Sequence, residues 1–248
     1  MNIVVFDTET TSLQKPFTYN IGYKIVNTET RETLLRKEFV VEQVWENKEL
    51  FCSAYYADKR PIYTNRMRAR LIRKEKFGYI TQEMIRDFKA YDINQAYAYN
   101  SPFDEGVFDF NSEWFKVINP FETLNIFDIR GYVHEFMAET EEYQNFCETH
   151  NELTDKGNYS TTAETVYRFI SGKTDFDEEH TALADSEIET EILFACIDRG
   201  AEYGQNYKVR QSIERNVEKT LTIVQDGNEY PFSYRKRTNR GDKIYLKG

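Results

Sequence analysis

Asp7 and Glu9 stand two residues apart at the end of the apolar run Ile3–Phe6. In an extended segment residues i and i+2 point to one side, so both carboxylates can reach a single cation. Two carboxylates on one side repel each other unless a cation, a proton or water relieves them. Alone, a D-x-E pattern is common and reads first as a solvated strand end. Asp104 closes the run Asn100-Ser101-Pro102-Phe103-Asp104. Alone, it reads as an N-cap or first-turn acid favoured by the helix dipole. His180 and Asp185 are five residues apart, which on a helix places them about 140° apart around the axis. They need not bind one atom. The spacing suits a helix whose Asp binds metal while a His on the preceding loop or first turn reaches the same place from another side. The plain alternatives are a surface His beside Glu178 and Glu179 and a solvated helix acid.

These residues need elements to hold them. Ile3–Phe6 reads as a buried central strand. Residues 20–27 (NIGYKIVN) and 34–41 (LLRKEFVV) read as strands joined by the polar turn TETRE, which implies an antiparallel meander. Residues 42–80 show no clear periodicity. A helix is expected to start near Thr81, with Met84, Ile85 and Phe88 on its apolar face. Residues 96–99 (AYAY) read as a strand, and the Asn100-Ser101-Pro102 turn leads into a helix opened by Phe103-Asp104. Residues 124–129 (LNIFDI) read as a further strand. Helices are expected over 161–170, behind a Thr cap, and over 177–199, with Gly200 as its stop. Asp226-Gly227-Asn228 reads as a hairpin turn between TLTIV and EYPFSY. A meander followed by alternating strands and helices indicates an α/β domain with a mixed sheet.

Taken together, DTETT, N-x-x-F-D and H-x-x-x-x-D, in this order and on these elements, closely resemble the three exonuclease motifs of the DnaQ-like family. The last motif carries His rather than Tyr, as in the DEDDh subfamily. The resemblance covers roughly residues 1–200 and takes in the strand before DTET, the IFDIR stretch and the RFISG stretch before the His. Ser12 stands where the family usually has Gly. The resemblance implies an RNase H-like fold, with a mixed five-stranded sheet flanked by helices. It implies two Mg²⁺ or Mn²⁺ ions, bridged by Asp7, with Glu9 and Asp185 completing one site and Asp104 holding the other. It implies His180 as general base in a 3′–5′ exonuclease that releases nucleoside 5′-monophosphates. The chemistry is coherent without the family: two cations about 3.5–4 Å apart stabilise both the attacking and the leaving oxygen of a phosphodiester, and a His can take the water's proton near neutral pH. Carboxylate and water ligands select hard cations.

By the same resemblance the residues after D-x-E grip the terminal nucleotide: Thr10 and Thr11 hold the 3′ end, Leu13 wedges against the base, and Thr8 within the motif is a further substrate-binding candidate. Asn100 and Phe103 join them, Phe103 against the terminal sugar or base, although an aromatic at a helix start is as readily a core residue. Lys59–Lys76 holds eight basic residues and one acid. Arg66, Arg68, Arg70, Arg73 and Lys74 read either as a phosphate track or as a solvated face that offsets an acidic domain. Arg235, Lys236, Arg237 and Arg240 read as a second basic stretch, for phosphates or for a partner such as a polymerase or another replication or repair protein.

The whole chain bounds the rest. It has 248 residues and a net charge of −10, unlike a protein that wraps nucleic acid. Ten of its 32 Lys/Arg and six of its 42 Asp/Glu fall in 201–248, a net of +4, which leaves −14 for residues 1–200. An acidic domain suits hard cations. The division expected is an exonuclease domain over 1–200 and a basic, β-rich C-terminal extension over 201–248, either a hairpin packed on the domain or a partner-binding tail. The 18 Tyr and 18 Phe fit an aromatic-rich core with some exposed rings for base stacking. Three scattered cysteines, no C-x-x-C and no apolar span fit a soluble cytoplasmic protein without disulfide or zinc framework and without a membrane partner. The expected substrate is a single-stranded 3′ end, DNA before RNA. The alternatives are an RNA exonuclease of the same subfamily and a catalytically silent nucleic-acid-binding module.

Overall fold

A computed structural model describes residues 1–225 and 228–237. In chain order its elements are β1 (Asn2–Thr10), β2 (Thr18–Asn27), β3 (Thr33–Val41), α1 (Glu42–Glu46), α2 (Lys48–Cys52), a 3₁₀ turn (Ala57–Lys59), α3 (Arg60–Arg68), β4 (Arg73–Glu75), α4 (Phe77–Ala90), β5 (Gln95–Ala98), α5 (Ser101–Phe115), β6 (Asn125–Asp128), α6 (Ile129–Phe136), α7 (Glu141–His150), α8 (Ala163–Ser171), α9 (Ala182–Asp198), β7 (Asn216–Gln225) and β8 (Asn228–Arg237).

The apolar run at the N-terminus is a central strand because it is buried on both faces. β1 lies between antiparallel β2 and parallel β5 in a sheet of order β4-β3-β2-β1-β5-β6. The meander and the mixed sheet are as the sequence predicts, but the sheet has six strands rather than five. The additional strand is β4, three residues paired parallel to β3 at the edge. So short an edge strand, with exposed Arg73 and Lys74, carries no alternation to read.

Alternation along β1 sorts the core into two layers. Val4 and Phe6 pack with Met84, Phe88, Phe108 and Phe121 under α4 and α5. Ile3 and Val5 pack with Tyr132, Val133, Ile192 and Leu193 under α6 and α9. Asp7 and Glu9 continue the α9 face and Thr8 the α5 face.

Three boundaries differ from expectation. α4 begins four residues before Thr81, at Phe77, because Phe77 and Ile80 are themselves fully buried. α5 begins at Ser101, with Pro102 in its first turn, where a missing N–H costs nothing. α9 begins at Ala182 rather than Asp177. The buried Asn20 side chain accepts from Ala182 N at 2.8 Å and donates to Phe39 O at 2.9 Å, so a residue of β2 satisfies the first free amide of the helix.

The patternless stretch 42–68 folds as short helices over the end of the sheet. They are held by aromatic contacts of Tyr19, Trp45, Phe51 and Tyr63 and by Arg60 over the Trp45 ring at 4.3 Å. Residues 201–215 run back along α6 and α7: Tyr207 packs on Tyr132, Arg210 N donates to His134 Nδ1 at 2.9 Å, and Arg215 pairs with Glu148. β7 and β8 form a separate antiparallel pair. Of the predicted turn, Asp226 and Gly227 lie outside the described residues, as does Arg240, while Arg235, Lys236 and Arg237 fall on β8. No helix among the described residues is long and apolar enough to cross a membrane.

Candidate active site

Four acids and a histidine converge at the end of β1. Asp7 and Glu9 face α9, whose first turn carries Asp185. Asp104 comes from the first turn of α5, and the Thr8 hydroxyl donates to its Oδ1 at 2.6 Å. Thr8, expected at the substrate, is buried on the α5 face, where its hydroxyl orients Asp104. Glu9, His180 and Asp185 each offer a ligand atom within 4.8 Å of the others.

Burial and mutual repulsion keep protons on this cluster. Burial, then the charges of Asp104 and Glu178, raises Asp7 well above the usual carboxylate range. Burial, then Asp7, raises Glu9 in the same way. Burial lifts Asp104 to about 7 against the hydrogen bond from Thr8. Burial, then Asp7, Glu178 and Glu9, drives Asp185 to about 11, and its carboxyl hydrogen-bonds to that of Glu9. Two carboxyls can share a hydrogen bond only if one keeps its proton. The other Asp185 oxygen, Oδ1, is buried with no partner.

Two further acids were not singled out in the sequence. Glu178, lifted by burial and then by Glu164 and Asp177 to about 7, bears on Asp7, Glu9 and Asp185. Its Oε2 lies 3.6 Å from His180 Nδ1. Glu189 lies one helical turn after Asp185, is 3% exposed, and accepts from Tyr99 N at 3.2 Å. The i,i+4 pair of acids facing β1 was the available signal for Glu189. Two residues before the His was the only one for Glu178.

His180 sits in the loop before α9 with φ of 55°. A non-glycine residue there needs its surroundings to hold it. Its ring stacks on Tyr56 with centroids 4.2 Å apart and planes at 14°, and its carbonyl accepts from the Tyr63 hydroxyl at 3.3 Å. Burial, then nearby Lys59, lowers its pKa below the ordinary value, which favours the neutral imidazole that can accept a proton. By contrast, His134 is spent on structure: burial pushes it down to about 4 and both ring nitrogens are occupied, by Thr161 and Arg210.

The other residues singled out are spread around this cluster. Thr11 is buried and ties its amide to Phe17 O at 2.9 Å, Thr10 reaches Ser12 O at 3.4 Å, and Leu13 is 83% exposed. Asn100 is exposed with φ of 64°, and Phe103 is half-buried. Of the basic track, Arg66 bonds Glu38 and Glu179, Arg73 pairs with Glu83 and Lys74 with Glu46. Arg68 and Arg70 are exposed.

No protein-family model and no curated protein matches the sequence. Solved structures do. E. coli Exonuclease I in complex with a dA16 oligonucleotide aligns with a TM-score of 0.51 at 13% identity, over 77% of this chain and 39% of that one. The nuclease domain of 3′hExo, a DEDDh family member bound to rAMP, aligns with a TM-score of 0.52 at 13% identity, over 85% and 96%. The fold is that of the DEDDh exonucleases. A 3′-exonuclease in a structure of 3′-end-specific recognition of a histone mRNA stem-loop aligns with a TM-score of 0.51 at 12% identity, over 100% of this chain and 73% of that one. In this DEDDh-type fold the four acids come from β1, α5 and α9, and the histidine from the loop ahead of α9.

Proposed function

We propose that the chain is a metal-dependent 3′–5′ exonuclease that hydrolyses the terminal phosphodiester of a nucleic acid strand. The observation that carries this reading is the cluster of Glu9, Asp185 and a neutral-leaning His180, with Asp7 and Asp104 bearing electrostatically on it, at the end of one strand. The donor set fits hard divalent cations: carboxylates and one imidazole, clustered against repulsion, with a buried Asp185 oxygen lacking any partner. Asp7, Glu9 and Asp185 would hold one Mg²⁺ or Mn²⁺, and Asp7 with Asp104 a second. When bound, such ions neutralise charge on the phosphate and make water more acidic.

The chain's own groups do the remaining work. His180 Nε2 or Nδ1 takes the proton of the attacking water, and the Tyr56 stack and the Tyr63 hydroxyl fix where that nitrogen points. Thr8 holds the Asp104 carboxylate in one orientation. Thr10, Thr11, Leu13 and Phe103 flank the terminal nucleotide. DNA is the substrate we favour. RNA is the second reading, and the rAMP and histone mRNA structures among the similar folds support it.

The test is digestion of end-labelled single-stranded DNA and RNA with Mg²⁺, Mn²⁺ or EDTA. We expect metal-dependent laddering from the 3′ end, lost in Asp7→Ala, and slow turnover with intact metal binding in His180→Ala. Normal turnover in His180→Ala overturns the general-base role. No cleavage in either metal favours a binding module.

A further inference from the structure

A cleft of about 770 Å³ opens beside the active site, between the β5–α5 turn, the first turn of α6 and residues 154–163. Arg130 and Lys156 line it with Asn100, Ser160, Thr162 and Gln211. Neither cation makes an ion pair among the described residues. By contrast, the partly buried Arg66, Arg168, Arg210 and Arg215 pair with carboxylates, and Arg60 lies over the Trp45 and Phe51 rings. The Arg130 Nε is buried with no hydrogen-bond partner. A buried guanidinium N–H left unmet is costly, and native structures rarely carry one without a reason. Its backbone is fixed: Asp128 Oδ1 accepts from both Arg130 N and Asn100 N at 2.9 Å, binding the base of the cleft to the turn that leads into Asp104.

Two cations without an ion pair among the described residues, with hydroxyls and side-chain amides, fit an anion rich in oxygen acceptors, and the Arg130 charge also bears on the Asp128 carboxylate at the base of the cleft. The acid lining the cleft, Glu214, is engaged with another residue. Tyr99, which lines the cleft, donates through its amide to Glu189 beside the acid cluster, and Asn100 stands one helical turn before Asp104, so the cleft borders that cluster. On the exonuclease reading, we propose that this cleft holds a phosphate of the same strand beyond the scissile one, with Arg130 as the principal contact and Lys156 as the second. Arginine suits the task because its fork meets two phosphate oxygens at once.

The test is fluorescence anisotropy of a labelled single strand of about twelve nucleotides on the full chain in EDTA, over a salt series. We expect Arg130→Gln and Lys156→Ala each to weaken binding by about tenfold. We expect each to flatten the logarithmic salt dependence by roughly 0.7, while Arg130→Lys keeps most of the affinity. Lys89→Ala, on the far end of α4, should bind as the unaltered chain does. Unchanged affinity and salt dependence in Arg130→Gln overturns the proposal even if 3′ digestion proceeds, and so does an unaltered chain that binds no strand. Binding that depends on Arg130 in a chain that digests nothing keeps the cleft and overturns the exonuclease reading.

Discussion

Tyr56 is the residue whose role follows most directly from contact and least from sequence. It lies in a stretch with no periodicity, and nothing in its spacing links it to His180, 124 positions later. In space the two rings lie face to face, holding an imidazole whose backbone is in the left-handed region. Tyr56→Leu should lower the rate by roughly tenfold and blur the acid limb of the pH profile, while Tyr56→Phe should retain both. An identical profile in Tyr56→Leu shows that Tyr63 alone suffices. The acids were legible at this scale because D-x-E at a strand end, an acid after a proline turn and an acid in a helix each constrain direction. The same strand alternation that sends Asp7 and Glu9 one way sends Thr8 the other, toward Asp104.

At the scale of elements, the meander and the central strand were readable from apolar runs, since burial on both faces leaves no polar interruption. The start of α9 was not. Apolar spacing marks the face of a helix but not its first turn, and here that turn is set by Asn20, 162 residues away in sequence. Asn20→Ala leaves the Ala182 N–H and the Phe39 C=O buried and unmatched, and should cost about 2–4 kcal/mol in chemical denaturation. A cost under 1 kcal/mol would mean that water replaces the side chain. β4 and the helices over 42–68 were illegible for a different reason: they are short, and side-chain contacts with Tyr19 and Trp45 define them rather than any repeat.

Across the whole molecule, acidity that looked like a matter of composition becomes a statement about pH. Asp104 and Glu178 titrate near 7 in the folded chain and near 3.8 and 4.5 when exposed, and Asp185 near 11. The folded chain therefore keeps protons that the unfolded chain has released, so stability from these groups is complete below about pH 4 and is lost as pH rises through 7 and beyond. Paired surface acids such as Glu148 and Asp198 lie below their ordinary values and act the other way, but only toward acid pH. The melting temperature in EDTA should be highest on the acid side of neutrality and fall by pH 8, and a divalent cation should flatten that fall. A metal-free chain equally stable at pH 5 and pH 8 would show that the cluster is not protonated when empty. Cation affinity should rise over the same interval, since binding must release protons.

Gly22 is the register partner of Asp7 on β2, and a Cβ there would lie 2.1 Å from the backbone N of Leu183, two residues before Asp185. The missing side chain thus lets the helix that carries Asp185 close onto β2 beside the strand that carries Asp7. Oxygen ligands sit about 2.0–2.1 Å from Mg²⁺ and about 2.3–2.6 Å from Ca²⁺, so on the proposed metal-dependent reading the width of the gap between helix and strand would discriminate between ions by radius. Gly22→Ala should push α9 outward and shift preference from Mg²⁺ toward larger ions. This is measurable as the ratio of Mg²⁺ to Mn²⁺ activity and as Ca²⁺ binding. A folded variant with an unchanged ratio would show that this gap does not set the preference.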